Sequence, residues 1–167
     1  AVTKTVDEQE RRETERKNDI SELRKRLREA VQQFDGITVQ GDVLNFGSKA
    51  TFEFKENRLT TEQAKNLRTF MPVVLNLANT DVGKKWLKRV VVEGYTDATG
   101  DYLYNLNLSL QRSQRVICLL MEAPRGDETA LSMSQREHVR DLFLVGGYSF
   151  NSIKPSDEES RRIELRL

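Results

Sequence analysis

A chain of 167 residues holds one domain with room for an extension; its 37% hydrophobic content supports a core, and its 32% charged content indicates a polar appendage. With 27 basic and 26 acidic residues the formal net charge is +1, which gives no whole-protein argument for nucleic acid or an anionic membrane as partner. A lone cysteine excludes a disulfide framework, and no run approaches the roughly 18 apolar residues of a membrane span.

Residues 1–19 are almost wholly polar and read as a solvated helix or a disordered linker. From Ile20 the pattern changes: Ile20, Leu23, Leu27, Ala30, Val31 and Phe34 fall on one helical face, with Asp19 or Ser21 as cap and Asp35-Gly36 as terminator. Two short strands, 37–39 and 43–46, flank a Gly41-Asp42 turn. Residues 50–54 alternate and fit a short strand or an extended loop. Thr60 and Gln63 form a capping box for a helix burying Leu67, Phe70, Met71, Val74 and Leu75, with a kink or boundary expected at Pro72. A turn over 79–85 and a strand over 86–93 follow, the triple Val90-Val91-Val92 implying burial on both faces. After the turn Gly94–Gly100 comes an amphipathic helix carrying Leu108, Val116, Ile117, Leu119 and Leu120, with Cys118 read as a small buried hydrophobe. Ala123-Pro124 breaks the chain, 123–133 reads as an exposed loop, and Ser134 with Glu137 is expected to cap a short helix through Leu142. Residues 144–148 form a strand or turn, 151–160 a polar loop, and Arg161–Leu167 alternates as a half-buried strand does. The order of elements predicts an α/β (α+β) sandwich, a small mixed sheet with helices packed on one face.

The sequence offers little to a catalytic reading. The single His138 sits in a charged surface context, Cys118 lies in an apolar run, and Gly94–Gly100 lacks the Lys-Ser/Thr of a phosphate loop. Asp97 and Asp101 have no completing metal ligands, so neither a metal nor another cofactor is expected, and the chain reads as a non-enzyme. Binding fits better. Asp97 stands at the end of a buried strand, and Arg112, a planar guanidinium fork suited to carboxylate, lies on the next helix. Together they match a zwitterion, with Thr96, Asn105 and Ser109 as neutral donors nearby. The residues alone leave a second reading open, a structural ion pair between Asp97 and Arg112 with Asn105 capping the helix.

The spacing Gly94-Tyr95-Thr96-Asp97, Gly100, Tyr104-Asn105, Leu108-Ser109, Arg112, Val116 resembles the signature of OmpA-like C-terminal domains, which include the B subunits of ion-driven stators such as MotB. Weaker agreement covers roughly 46–167, through Phe52-Glu53-Phe54, Gly147-Tyr148 and Arg161-Arg162-Ile163-Glu164. The resemblance implies a βαβαβ sheet over 37–167, a helical extension over 1–36, and non-covalent peptidoglycan binding. It assigns Asp97 to the ammonium of a stem-peptide diamino acid, usually diaminopimelate, and Arg112 to its carboxylate. Asn105, Leu108, Thr96 and Tyr104 would shape the pocket, and Arg162 would add charge at its rim. It further implies a periplasmic domain of a Gram-negative envelope protein, inner-membrane anchored through a segment upstream of Ala1. The expected assembly is a homodimer with a membrane-embedded A-type stator subunit as partner. The long polar lead-in is similar to stator B subunits, including those of Zorya-type anti-phage systems. A scaffold role, with dimerisation primary and wall binding secondary, is the alternative. The polar stretch 123–136 departs from the family pattern and is read as a partner surface.

Overall fold

The computed structural model describes residues 2–122 and 125–167, so the predicted break at Ala123-Pro124 lies outside the described residues. The polar lead-in and the amphipathic segment form one helix, α1 (Val2–Val31), rather than a linker followed by a helix capped at Asp19 or Ser21. Glu, Arg and Lys favour helix, and nothing between Val6 and Ile20 interrupts it. Residues 3–18 are exposed all round, whereas Leu27 and Val31 enter the main core. The end of the extension and the domain beyond residue 37 thus share one hydrophobic cluster.

Strands β1 (Thr38–Gln40) and β2 (Val43–Asn45) form the expected hairpin, with Gly41 at φ +62° in its turn. A 3-10 turn over Gly47–Ala50 follows, and of 50–54 only Thr51 bridges the sheet, opposite Arg162. Helix α2 (Thr61–Ala78) carries the predicted capping box and runs unbroken through Pro72. Two expectations fail next. The segment 79–85 is not a turn, because Thr80 accepts from the Gly83 N–H and caps α3 (Asp81–Trp86). Trp86 therefore ends a helix, and β3 starts later, at Val90–Gly94. Helix α4 (Tyr102–Met121) is capped by Asp101. Helix α5 (Met133–Leu142) is capped by Ser132 with Gln135, two residues before the predicted Ser134–Glu137 pair. Strand β4 (Phe143–Gly147), the short α6 (Asp157–Ser160) and β5 (Ile163–Arg166) complete the chain.

The sheet order is β1-β2-β5-β3-β4, with β4 parallel to β3 across the α4–α5 crossover and the other pairs antiparallel. Strand side chains alternate between faces. Leu44, Val90, Val92, Ile163 and Leu165 join Leu67, Phe70, Met71, Val74, Val116 and Leu120 in one core. The other face is a polar lattice. Glu93 accepts from Tyr95 Oη (3.0 Å) and Arg166 Nε (2.6 Å), Glu164 accepts from Arg162 Nε (2.8 Å), and Tyr95 stacks on Tyr148. Burial pushes the Tyr95 phenol up, and the carboxylates of Glu93 and Glu164 add to that. Val91 faces this side and is only half-buried, so the expected burial of all three valines holds for Val90 and Val92 alone.

Helix α4 lies unusually close to the strands. A Cβ at Gly94 would stand 2.0 Å from the Ser109 carbonyl oxygen, and one at Gly147 would stand 2.6 Å from Ser109 Oγ. Ser113 Oγ donates to Gly146 O at 2.6 Å, and the Ser149 N–H donates to Ser109 Oγ at 3.1 Å. Cys118 is exposed, not buried. Two residues along a helix turn about 200°, so it faces away from Val116 and the core. The expected exposed loop is partly tied down: Leu131 is buried, and Asp127 accepts from the buried Arg68 at 2.9 Å. No helix among the described residues is long and apolar enough to cross a membrane.

Candidate functional site

Strand β3 ends at Gly94, and the chain turns sharply into α4. Asn105 of α4 holds this turn by donating from Nδ2 to Thr99 O (2.9 Å) and Asp101 O (3.0 Å). Gly100 takes φ +97°, a conformation that L side chains rarely adopt. Thr96 is buried, its N–H donating to Ser149 O and its hydroxyl to Asp97 O. The turn and the helix enclose a small recess. Thr96, Asp97, Tyr104, Asn105, Leu108 and Arg112 all line it, so six of the seven sequence-predicted residues come together. Phe54, Lys55 and Thr99 complete the wall. The enclosed space is about 10 Å³, about the volume that one water-sized sphere occupies.

Asp97 is 4% exposed. Its Oδ1 accepts from the Thr99 N–H at 3.0 Å, and its Oδ2 pairs with Arg161 Nη1 at 3.1 Å. Arg161 also donates from Nε to Phe52 O. The predicted rim residue, Arg162, is elsewhere. It lies on the open face of the sheet, bound to Glu164 and Ser152 O, with its guanidinium carbon 4.1 Å from the Tyr95 ring centroid. The reason is strand parity, since neighbours at the start of β5 point to opposite faces. Arg161 is the residue that a count from the core positions Ile163 and Leu165 would have selected.

Arg112 makes no ion pair with Asp97. Its side chain is 0% exposed, and its three nitrogens donate to backbone carbonyls: Nε to Glu56 O (2.9 Å), Nη1 to Tyr95 O (2.9 Å) and Nη2 to Glu53 O (3.2 Å). The guanidinium also stands over the Phe52 ring. Burial pushes its pKa down to about 10, against the pull of the nearby Asp97 carboxylate. It therefore stays charged at neutral pH and ties the end of β3 to the turn 53–56.

That turn is a wall that the sequence reading left out. Glu56 N donates to Glu53 O, and Lys55 occupies the left-handed region at φ +62°. Among the described residues no group of three or more His, Cys, Asp or Glu side chains is placed to hold a metal ion.

No family model matches the chain. Among solved structures it is similar to the cell wall anchor of the T6SS from Pseudomonas aeruginosa (TM-score 0.51, 16% identity, 82% of this chain and 90% of that one). It is also similar to the periplasmic domain of Helicobacter pylori MotB, residues 97–256 (TM-score 0.50, 15% identity, 77% and 83%). These likenesses establish the fold, that of OmpA-like and MotB C-terminal domains. In sequence it is 40% identical to the Zorya protein ZorB of Escherichia coli O139:H28 (strain E24377A / ETEC) over 170 residues, covering 100% of this chain and 69% of that protein. At that identity over the full chain, and with the expected fold in place, the chain belongs to the ZorB family of Zorya proteins.

Proposed function

We propose that this domain binds peptidoglycan without cleaving it and thereby ties a stator-type envelope complex to the cell wall. The observation that carries the reading is the recess itself. A nearly buried carboxylate, Asp97, sits among neutral donors and cations at the end of a strand, the arrangement that a zwitterionic stem-peptide terminus needs. Asp97 receives the ammonium of a diaminopimelate-type residue, Asn105, Thr96 and Leu108 shape the cavity, and Tyr104 flanks its mouth. Arg112 contributes positive potential and holds the two loops in register. The fold shared with a cell wall anchor and with MotB supports the same reading. In this reading the domain is periplasmic, is joined to the inner membrane by a segment outside this chain, and works as a homodimer with an A-type stator subunit.

The test is co-sedimentation with purified sacculi. The wild-type chain is retained, and Asp97→Asn, which keeps the shape and removes the charge, is released. Retention of Asp97→Asn at the wild-type level, or failure of the wild-type chain to sediment, would overturn the reading.

A further inference from the structure

We propose that the open face of the sheet carries a second binding site, a cavity between the β1–β2 hairpin and α6 that takes a small zwitterion of the free α-amino acid type. The inference stands apart from the wall-binding reading, because this cavity shares no lining residue with the recess at Asp97.

The cavity has a volume of about 340 Å³, within the range of about 300–1,000 Å³ usual for small-ligand pockets. Arg162 lines it and is only 3% exposed. Its guanidinium is fixed by its surroundings. Nε donates to Glu164 Oε1 at 2.8 Å, Nη1 donates to Ser152 O at 3.0 Å and Ser160 O at 3.4 Å, and the Tyr95 ring centroid lies 4.1 Å from the central carbon. Nη2 has no hydrogen-bond partner among the described residues. Every described side-chain nitrogen or oxygen that is sealed from solvent does have one, so Nη2 is the reachable edge of the guanidinium. A donor already desolvated and held in place binds without the ordering cost that a flexible side chain pays.

Two more donors line the same space. Asn45 stands opposite Glu164 in the β2–β5 register, and its Oδ1 is taken by the Gly47 N–H at 2.8 Å, which leaves Nδ2 without a partner. The half-buried Lys154 has no carboxylate partner for its ammonium among the described residues. Free donors on three side chains call for an acceptor with several lone pairs, and a carboxylate is that group.

The α6 side adds the opposite charge. Glu158 and Glu159 line the cavity and are exposed. Glu158 makes no ion pair among the described residues, and the Glu159 carboxylate accepts only from Ser156 Oγ, at 3.1 Å. A phosphate or another dianion would face these two carboxylates, and a bare cation would face Arg162 and Lys154. A ligand with a carboxylate at one end and an ammonium at the other meets neither penalty. A free amino acid carries both groups on one carbon.

The test is NMR amide-shift titration of the full chain with alanine, with N-acetylalanine, which keeps only the carboxylate, and with alaninamide, which keeps only the ammonium. Alanine shifts amides within 45–51 and 154–162 saturably, with a Kd of about 1–10 mM. Each single-charge analogue binds at least about tenfold more weakly. Lys154→Gln weakens alanine about fivefold, and Glu158→Gln combined with Glu159→Gln erases the advantage of alanine over N-acetylalanine. These positions are half-buried or exposed, so the variants keep the wild-type melting temperature, whereas truncating Arg162 would strand the buried Glu164. No saturable shift with alanine, or N-acetylalanine binding as tightly as alanine, overturns the site. Shifts confined to 96–112 overturn it too, because the ligand is then in the recess. So does loss of sacculus retention in Lys154→Gln, which would make the cavity part of the wall contact.

Discussion

Replacing Arg112 by Ala separates a residue that holds the site together from one that only meets a ligand. The truncation leaves the carbonyls of Glu56 and Tyr95 without the donor they now have, while Glu53 O keeps the Glu56 N–H. Each orphaned buried carbonyl costs about 1–3 kcal/mol, and the void left by a fully buried side chain costs about 2–5 kcal/mol. In the opposite direction, a guanidinium whose pKa has dropped from 12.5 to about 10 pays a burial cost of roughly 3 kcal/mol, which the substitution removes. The losses win by about 4 kcal/mol. For a chain of this length, that lowers the melting temperature by about 8–16 °C. The assay is calorimetric or circular-dichroism melting of the two proteins at neutral pH, with no ligand present. A purely ligand-contacting arginine would leave the melt unchanged or raise it. An Arg112→Ala variant melting within 2 °C of wild type, or above it, refutes the clamp.

Gly94→Ala drives a Cβ to 2.0 Å from the Ser109 carbonyl oxygen. Because the obstacle is backbone, the cost exceeds the roughly 1–3 kcal/mol of ordinary overpacking, and urea unfolding with a midpoint close to wild type would contradict it. Trp86→Phe removes the 2.7 Å bond from the indole Nε1 to Asp19 on α1. Amide exchange should accelerate by about tenfold over residues 15–23 of α1 and little elsewhere, matching one charge-assisted bond. The Thr129 hydroxyl and N–H, joined by Arg68, hold the Asp127 carboxyl below its ordinary 3.8. A depressed acid contributes stability that is present above that value and lost as pH falls through the folded pKa. Exchange protection across 125–131 should therefore hold at pH 5–7 and be lost progressively only below the ordinary carboxylate range; protection that falls away already between pH 7 and 5 would count against the pairing.

The parts of the fold with one dominant signal were legible in sequence. The Thr60–Gln63 capping box, the Gly41-Asp42 turn and the alternating terminal strand appear where their residues placed them. The errors share a cause, which is that a short signal was judged without its geometry. The apolar run around Cys118 was read as a block, although a helix turns such a run through every direction. Trp86 and Leu87 were joined to the valines that follow, although Thr80 caps a helix that includes Trp86. For the site, spacing brought six residues to one recess, because strand, turn and helix have fixed rises. Arg161 was missed for its neighbour by one step of strand parity. The turn 53–56 was not visible as a wall because a positive φ at a lysine such as Lys55 has no signature in sequence.

The close docking of α4 at Gly94 and Gly147 has a mechanical consequence. With no side chain between helix and strands, the α4 side of the recess behaves as a fixed jaw. The recess beside it holds only about 10 Å³, less than the stem-peptide terminus of the proposed reading. Facing it, the turn 53–56 is tied to the same block by two bonds from the Arg112 guanidinium. The turn continues from Phe52 and Thr51, and Thr51 bridges Arg162 at the start of the last strand. In the proposed reading, a pull on the bound wall passes from this turn into the sheet beside β5.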